Sequence, residues 1–305
     1  MEFKIVILGS SSALPTSKRM PTSQIVLYNQ MPYLIDCAEG TQMQIRKNGI
    51  ALEKIKHIFI SHLHGDHFYG IFGLLSTLNL LGRQQDLNIY APEKLKEMYE
   101  SILNLNDDVL KYKINFYPLS DSGKNLIFQN KNIEVYSFPL KHSKMVFGFL
   151  FNEKIKPLNI KKEIIEEYHL SIKQIVEIKN GSDLVLDNGR IIENKNITYQ
   201  SPKTRSYMFC TDTLPLYNLD KYFLEPDILY HEATFGSEFE EVAKETFHST
   251  AKQAAEVAKK LKAKKLIIGH FSSRYKNMSS LVNEAKSVFP NVFEANDGDV
   301  YEINN

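Results

Sequence analysis

An α/β sandwich, two sheets packed together with helices outside, follows from three observations. Short β-rich runs open the chain, strand and helix patterns then alternate, and strand-like runs in the last third each end on a polar residue. The opening strands read as Phe3 to Leu8, Gln24 to Tyr28 and Tyr33 to Asp36, followed by a helix from Thr41 that stops at Gly49. His57 to Ile60 reads as a buried strand, Phe68 to Leu81 as a mostly apolar helix and Leu87 to Tyr90 as a further strand. Glu93 to Leu105 is an amphipathic helix with Leu95, Met98, Tyr99, Ile102 and Leu103 on one side. Strands continue at Ile133 to Phe138 and Val146 to Phe151. From about Asn152 the apolar periodicity weakens and Lys and Glu crowd in, as in an insertion. Beyond it, Tyr207 to Cys210, Ile228 to Tyr230 and Lys265 to Ile268 read as strands that run into Asp212, His231-Glu232 and His270. Thr250 and Gln253 make a capping box for a helix whose Ala251, Ala254, Ala255, Ala258 and Leu261 share a face.

With 305 residues and 43% hydrophobic side chains, the chain has ample material for a core. The formal charge of +1 predicts no broad electropositive field, which counts against a static nucleic-acid scaffold. Cys37 and Cys210 are the two cysteines, so neither a disulfide framework nor a thiolate metal site is available. The first residues form a strand pattern too short for a signal peptide or a membrane span, and the expected location is cytoplasmic.

Chemistry concentrates in Ser61-His62-Leu63-His64-Gly65-Asp66-His67, directly after the apolar run Ile58-Phe59-Ile60. Imidazole nitrogen and carboxylate oxygen suit a borderline divalent cation such as zinc, and they also accept manganese or iron. Placement at strand ends predicts a two-metal site. His62, His64 and His142 hold one ion, Asp66, His67 and His270 the other, and Asp212 bridges them, because two close cations repel unless an anion sits between them. Taken singly, His142 and His270 also fit ordinary surface histidines, and Asp212 fits a turn or N-cap residue. Their joint placement is what points to metal. Asp36 is read as orienting a ligand histidine through its other ring nitrogen.

The HxHxDH run, a later His, and an Asp and a last His after strands resemble the metallo-β-lactamase superfamily of hydrolases. Within it, the chain is similar to the ribonuclease Z family, short-form tRNA 3′-processing endonucleases. The similarity is carried by Leu34-Ile35-Asp36-Cys37-Ala38-Glu39-Gly40-Thr41-Gln42, Ser61 to His67 with Gly73-Leu74-Leu75, Gly82-Arg83, Ile89-Tyr90-Ala91-Pro92 and His231-Glu232-Ala233-Thr234-Phe235. His248-Ser249-Thr250 and His270-Phe271-Ser272-Ser273-Arg274-Tyr275 complete it. The resemblance implies a single four-layer αββα sandwich over residues 1–305, with residues 152–199 as an inserted arm that binds tRNA. It implies two zinc ions per chain, precursor tRNA as substrate, a homodimer and no membrane.

It also implies His248 as general acid, held by Glu232, and Asp66 as both metal ligand and proton acceptor. Lys18 and Arg19 fall where the family carries a P-x-K-x-R-N loop that contacts RNA, although Lys18 is displaced by one position and Met20 replaces Asn. Arg274 is the third expected phosphate contact. The Gly-Pro pair typical of the arm's tip is absent, the matching place reading Leu170-Ser171-Ile172-Lys173. The rival readings are a small-molecule hydrolase of the same superfamily, such as a cyclic-nucleotide phosphodiesterase, arylsulfatase or lactonase, and an RNA-binding module with a vestigial site.

Overall fold

The computed structural model describes residues 2–106, 110–199 and 203–304. In chain order its strands are β1 (Phe3–Gly9), β2 (Ser23–Tyr28), β3 (Met31–Ile35), β4 (His57–Phe59), β5 (Leu87–Ala91), β6 (Ile114–Pro118), β7 (Asn125–Gln129), β8 (Ile133–Pro139) and β9 (Phe147–Glu153). Then follow β10 (Asn159–Ile160), β11 (Leu184–Val185), β12 (Ile191–Ile192), β13 (Thr198–Tyr199), β14 (Ser206–Cys210), β15 (Ile228–Glu232), β16 (Leu266–Gly269), β17 (Val292–Glu294) and β18 (Val300–Glu302). Two seven-stranded sheets result, in the orders β18-β1-β2-β3-β4-β5-β6 and β17-β16-β15-β14-β9-β8-β7.

Side-chain alternation along the strands explains the layering. Inward residues such as Ile5, Ile7, Phe59, Phe149, Phe209 and Tyr230 interdigitate between the sheets. The opposite faces bury Ile58, Ile60 and Ile89 under Leu74, Leu75 and Leu78 of the helix Gly70–Leu80, and Met208, Leu229 and Ile268 under Ala251, Ala254 and Ala258 of the helix Ala251–Lys260. The outcome is the expected αββα sandwich. β3 through β6 run parallel, as do β14 through β17, so their carboxyl ends gather on one side of the molecule.

Several elements depart from the sequence reading. The helix expected from Phe68 to Leu81 is two pieces, Gly65–Phe68 and Gly70–Leu80. Gly70 sits against the Ala38 carbonyl, which an added Cβ would meet at 1.9 Å, and this close approach docks the second helix beside the metal motif. Met98 is exposed rather than packed with Leu95, and the Leu103 side chain lies outside the described residues. β6 and β7 were not foreseen, because as edge strands they bury little. The strand begun near Val146 continues through Asn152 to Glu153, so the insertion starts later than residue 152.

From Asn159 to Tyr199 the chain makes a lobe with two small ladders, β10 with β13 and β11 with β12, and the helices Lys162–Glu167, Ile172–Lys179 and Asn194–Ile197. Its cluster is its own: Ile160, Leu170, Ile178, Leu184 and Ile197. The chain enters and leaves the lobe at Glu153 and Arg205, a buried pair with Arg205 Nη2 donating to Glu153 at 2.7 Å. The apolar spacing of Ile164, Ile165, Tyr168, Leu170, Ile172, Ile175, Val176 and Ile178 predicts a small helical lobe, but Ile172 and Val176 point outward, and Ile172 is 82% exposed. Among the described residues no helix is long and apolar enough to cross a membrane.

Candidate metal centre and active site

Each expected ligand leaves a strand end on the shared side. β4 runs into the His62 to His67 turn, the loop after β8 carries His142, β14 runs into Asp212 and β16 into His270. Asp36, Asp212 and His270 all hold left-handed backbone, with φ of 54°, 44° and 58°. That conformation is costly for residues with a Cβ, and it turns each side chain back over the sheet edge toward a common point.

Two ligand groups form there, His62 with His64, His142 and Asp212, and Asp66 with His67, Asp212 and His270. Asp212 belongs to both. Its Oδ2 lies 3.4 Å from His62 Nε2 and 3.9 Å from His142 Nε2, while its Oδ1 lies 3.3 Å from His67 Nε2 and 3.0 Å from His270 Nε2. One carboxylate thus faces two positions with different oxygens, the geometry of a bridge.

The outer ring nitrogens decide whether these residues fit a cation. His67 Nδ1 donates to Asp36 Oδ2 at 2.7 Å, and His142 Nδ1 donates to the Phe247 carbonyl at 3.0 Å. Ser61 Oγ donates to Asp36 Oδ2 at 2.9 Å and accepts from His62 Nδ1 at 3.1 Å. Thr234 Oγ1 accepts from His270 Nδ1 at 2.9 Å. In all four rings Nδ1 is taken by its outer partner, so Nε2 is the nitrogen turned inward and the one available to a cation in place of a proton. His67 Nε2 and His270 Nε2 are buried with no hydrogen-bond partner, and His64 Nδ1 lies 3.0 Å from His62 Nε2 and 3.3 Å from His142 Nε2. Such acceptors are stable together only around positive charge. The residues fit a pair of divalent ions.

Electrostatics agree. Burial lowers the His62, His64 and His142 imidazoles, His64 to about 4, so all three are neutral at pH 7 and able to ligate. Burial opposes charge on His67 too, but Asp212, Asp66 and Asp36 overcome it and push that ring well above its ordinary value. Burial alone would raise Asp66 and Asp212, yet the surrounding imidazoles hold both below the usual carboxylate range. Three carboxylates around one buried ring make a site that attracts a cation.

The expected acid pair stands alongside. His248 Nδ1 donates to Glu232 Oε1 at 2.9 Å, and Glu232 also accepts from the Thr213 amide at 2.7 Å and the Thr234 hydroxyl at 2.6 Å. Burial disfavours the imidazolium, but the Glu232 charge and hydrogen bond outweigh it and push His248 up to about 9. His64, Asp66, His142, Asp212, His248, His270 and Arg274 line one cleft of about 570 Å³.

The three expected phosphate contacts divide. Arg274 is exposed in that cleft, its guanidinium over the Phe235 and Phe239 rings. Lys18 is exposed in an adjoining groove of about 310 Å³ that shares Ser272 and Ser273 with the cleft. Arg19 lines that groove too, but its guanidinium also donates to Ser10, the Ala295 carbonyl, Glu294 and Asn296 at 2.5–2.8 Å, contacts that brace the loop. Sequence reasoning gave Thr234 and Thr213 no part. For Thr234 the available signal was a hydroxyl two residues beyond Glu232 at a strand end.

Comparison with known proteins follows the same lines. The structure superposes on YhfI of Bacillus subtilis, a metallo-beta-lactamase fold protein, with TM-score 0.71 at 15% identity, covering 99% of this chain and 100% of that one. Fold and site together define a metallo-β-lactamase-fold hydrolase with a pocket able to hold two cations. A protein of Bacteroides thetaiotaomicron named Ribonuclease Z is 40% identical over 304 residues, 100% of this chain and 96% of that one. The short form of human tRNase Z matches with TM-score 0.71 and 26% identity, covering 98% of each chain. Residues 3–158 also match the family model described as Anti-Pycsar protein Apyc1, a match that ends before Asp212, Glu232, His248 and His270. The chain belongs to the ribonuclease Z family, and its first half carries the Apyc1 pattern as well.

Proposed function

We infer that this chain is an endoribonuclease that removes the 3′ trailer of precursor tRNA, leaving a 3′-hydroxyl on the tRNA and a 5′-phosphate on the trailer. The observation that carries the reading is 40% identity to a Ribonuclease Z along the whole chain, through both the lobe and the Glu232–His248 half. A bound pair of divalent cations, zinc by the His and carboxylate donor set with manganese or iron as substitutes, supplies Lewis-acid activation of water and charge neutralisation at phosphorus. His62, His64 and His142 would hold one and Asp66, His67 and His270 the other, with Asp212 shared.

The chain's own residues do the rest. Glu232 fixes His248 through Nδ1, so Nε2 is the atom that carries a proton to the leaving 3′-oxygen. Asp66, which lines the same cleft, accepts the proton of the attacking water, a role its carboxylate beside the ligand histidines supports. Arg274 and Lys18 meet phosphates on the substrate strand. The lobe of residues 159–199 serves as the arm that binds tRNA, supported by its separate apolar cluster. A homodimer, in which one subunit's arm holds tRNA cut by the other, and a cytoplasmic location, where the buried Cys37 and Cys210 stay thiols, complete the reading.

Near-neutral charge in the lobe, where Lys161, Lys162 and Lys173 alternate with Glu163, Glu166 and Glu177, favours a second reading as a small-phosphodiester hydrolase. Incubating purified protein with a 3′-extended precursor tRNA and, separately, with bis-p-nitrophenyl phosphate decides between them. Cleavage just beyond the discriminator base with the stated ends supports the first reading; hydrolysis of the aryl ester with intact RNA supports the second.

A further inference from the structure

Thr234 occupies a junction that neither the metal ligands nor the acid pair accounts for. Its Oγ1 lies 2.6 Å from Glu232 Oε2, 2.9 Å from His270 Nδ1, 3.0 Å from the His270 carbonyl and 3.4 Å from His248 Nδ1. A hydroxyl has one proton to give. The nearest acceptor is also the charged one, so that proton goes to Glu232. The lone pairs of Oγ1 then accept, and the closest ring nitrogen facing them is His270 Nδ1. A directed chain results, from the His270 N–H through the Thr234 hydroxyl to Glu232, which takes the His248 N–H on its other oxygen at 2.9 Å.

We propose that Thr234 is a positioning residue whose hydroxyl fixes the tautomer of His270 and ties the His67/His270 metal position to the Glu232–His248 pair. Without that acceptor, His270 can carry its proton on Nε2, the buried atom that has no partner of its own and faces Asp212 and Asp66. Such a tautomer cannot ligate. The assignment rests on the metal-dependent reading of the pocket and concerns one of its two positions. His62, His67 and His142 take their orientation from Ser61, Asp36 and the Phe247 carbonyl, which Thr234 does not touch.

Two substitutions separate the hydroxyl from the methyl of this buried side chain. Thr234→Val keeps the shape and removes the hydroxyl; Thr234→Ser does the reverse. Zn2+ alone is the probe, with ions per chain from elemental analysis and affinities from competition with a chromophoric chelator. Circular dichroism and thermal melting establish that each variant is folded, and Thr234→Ala supplies the hydroxyl-free variant if valine does not fold. The expected result is that wild type holds two ions, while Thr234→Val holds one as tightly and the other about 10–100-fold more weakly. Thr234→Ser binds both as wild type does. Valine binding two ions at wild-type affinity, or serine as weak as valine, overturns the proposal. Wild type taking up fewer than two ions overturns it as well, and shows that the two-metal reading itself has failed.

Discussion

At the strand ends, Asp36, Asp212 and His270 hold left-handed backbone and all three side chains are buried, each carboxylate facing an imidazole and the imidazole facing a carboxylate. In the lobe of residues 159–199 the helix Ile172–Lys179 leaves Ile172 and Val176 open to solvent and buries Ile178 alone. The first region spends conformational strain and desolvation to hold several like groups within ångströms of one another, which a cation then repays. The second is a light assembly of short ladders around a few aliphatics, joined to the sandwich through Glu153 and Arg205. Rigid convergence is what bond-breaking needs, and a separable surface suits the binding of a large substrate. Pocket and lobe should therefore fail differently when altered.

The largest effect is expected at the bridge. Asp212→Ala should abolish hydrolysis of RNA and aryl ester alike and lower metal content below the two ions per chain expected from elemental analysis of wild type, as a strong chelator also should. Retained activity with wild-type metal content in this variant would remove Asp212 from the centre.

Next comes His248. His248→Ala should leave metal content intact and slow precursor cleavage about a hundred- to ten-thousandfold, with a smaller loss on bis-p-nitrophenyl phosphate, whose leaving group scarcely needs a proton. Equal losses on both substrates would make His248 a structural residue.

The pH profile sharpens the same point. Because Glu232 raises His248 to about 9, the acid is protonated below that pH and RNA cleavage should decline only above it. The pair's contribution to stability has the same sign, complete below the ordinary value of 6.5 and lost as pH rises through about 9. Glu232→Gln removes the charge and leaves burial, which lowers the ring, so the alkaline limb of the rate profile should move to the acid side of about pH 6.5. An unmoved limb in kcat against pH would break the pairing.

The smallest effects separate the two arginines. Arg274→Ala should raise KM for RNA by an amount worth about 1.5–3 kcal/mol with little change in melting temperature. Arg19→Ala should do the opposite, costing about 2 kcal/mol of stability with KM nearly unchanged, since its hydrogen bonds all turn inward. Denaturant titration beside steady-state kinetics distinguishes them.

The pocket was the more legible of the two regions. His62 to His67 follows an apolar strand in the sequence itself, and Asp212 and His270 each stand directly after a readable strand, so the strand pattern carried the ligands with it. What stayed hidden was the second ring of contacts. The acceptors that set the His142 and His270 tautomers, the Phe247 carbonyl and the Thr234 hydroxyl, leave no pattern in composition or periodicity. Edge strands β6 and β7 were missed because half-exposed runs lack the apolar density that marks a buried strand. Apolar spacing misplaced Ile172 and Val176 for a related reason: a lobe this small has too little interior to cover both faces of its helix.

Division of labour between pocket and lobe is tested most directly by replacing residues 159–199 with a short Gly/Ser linker. Steady-state kinetics are then measured on precursor tRNA and on bis-p-nitrophenyl phosphate in the same preparation. The predicted result is a fall in kcat/KM for the RNA of at least about tenfold, equivalent to about 1.4 kcal/mol, with aryl ester hydrolysis within about twofold of wild type. Undiminished tRNA processing by the lobeless protein would contradict the account.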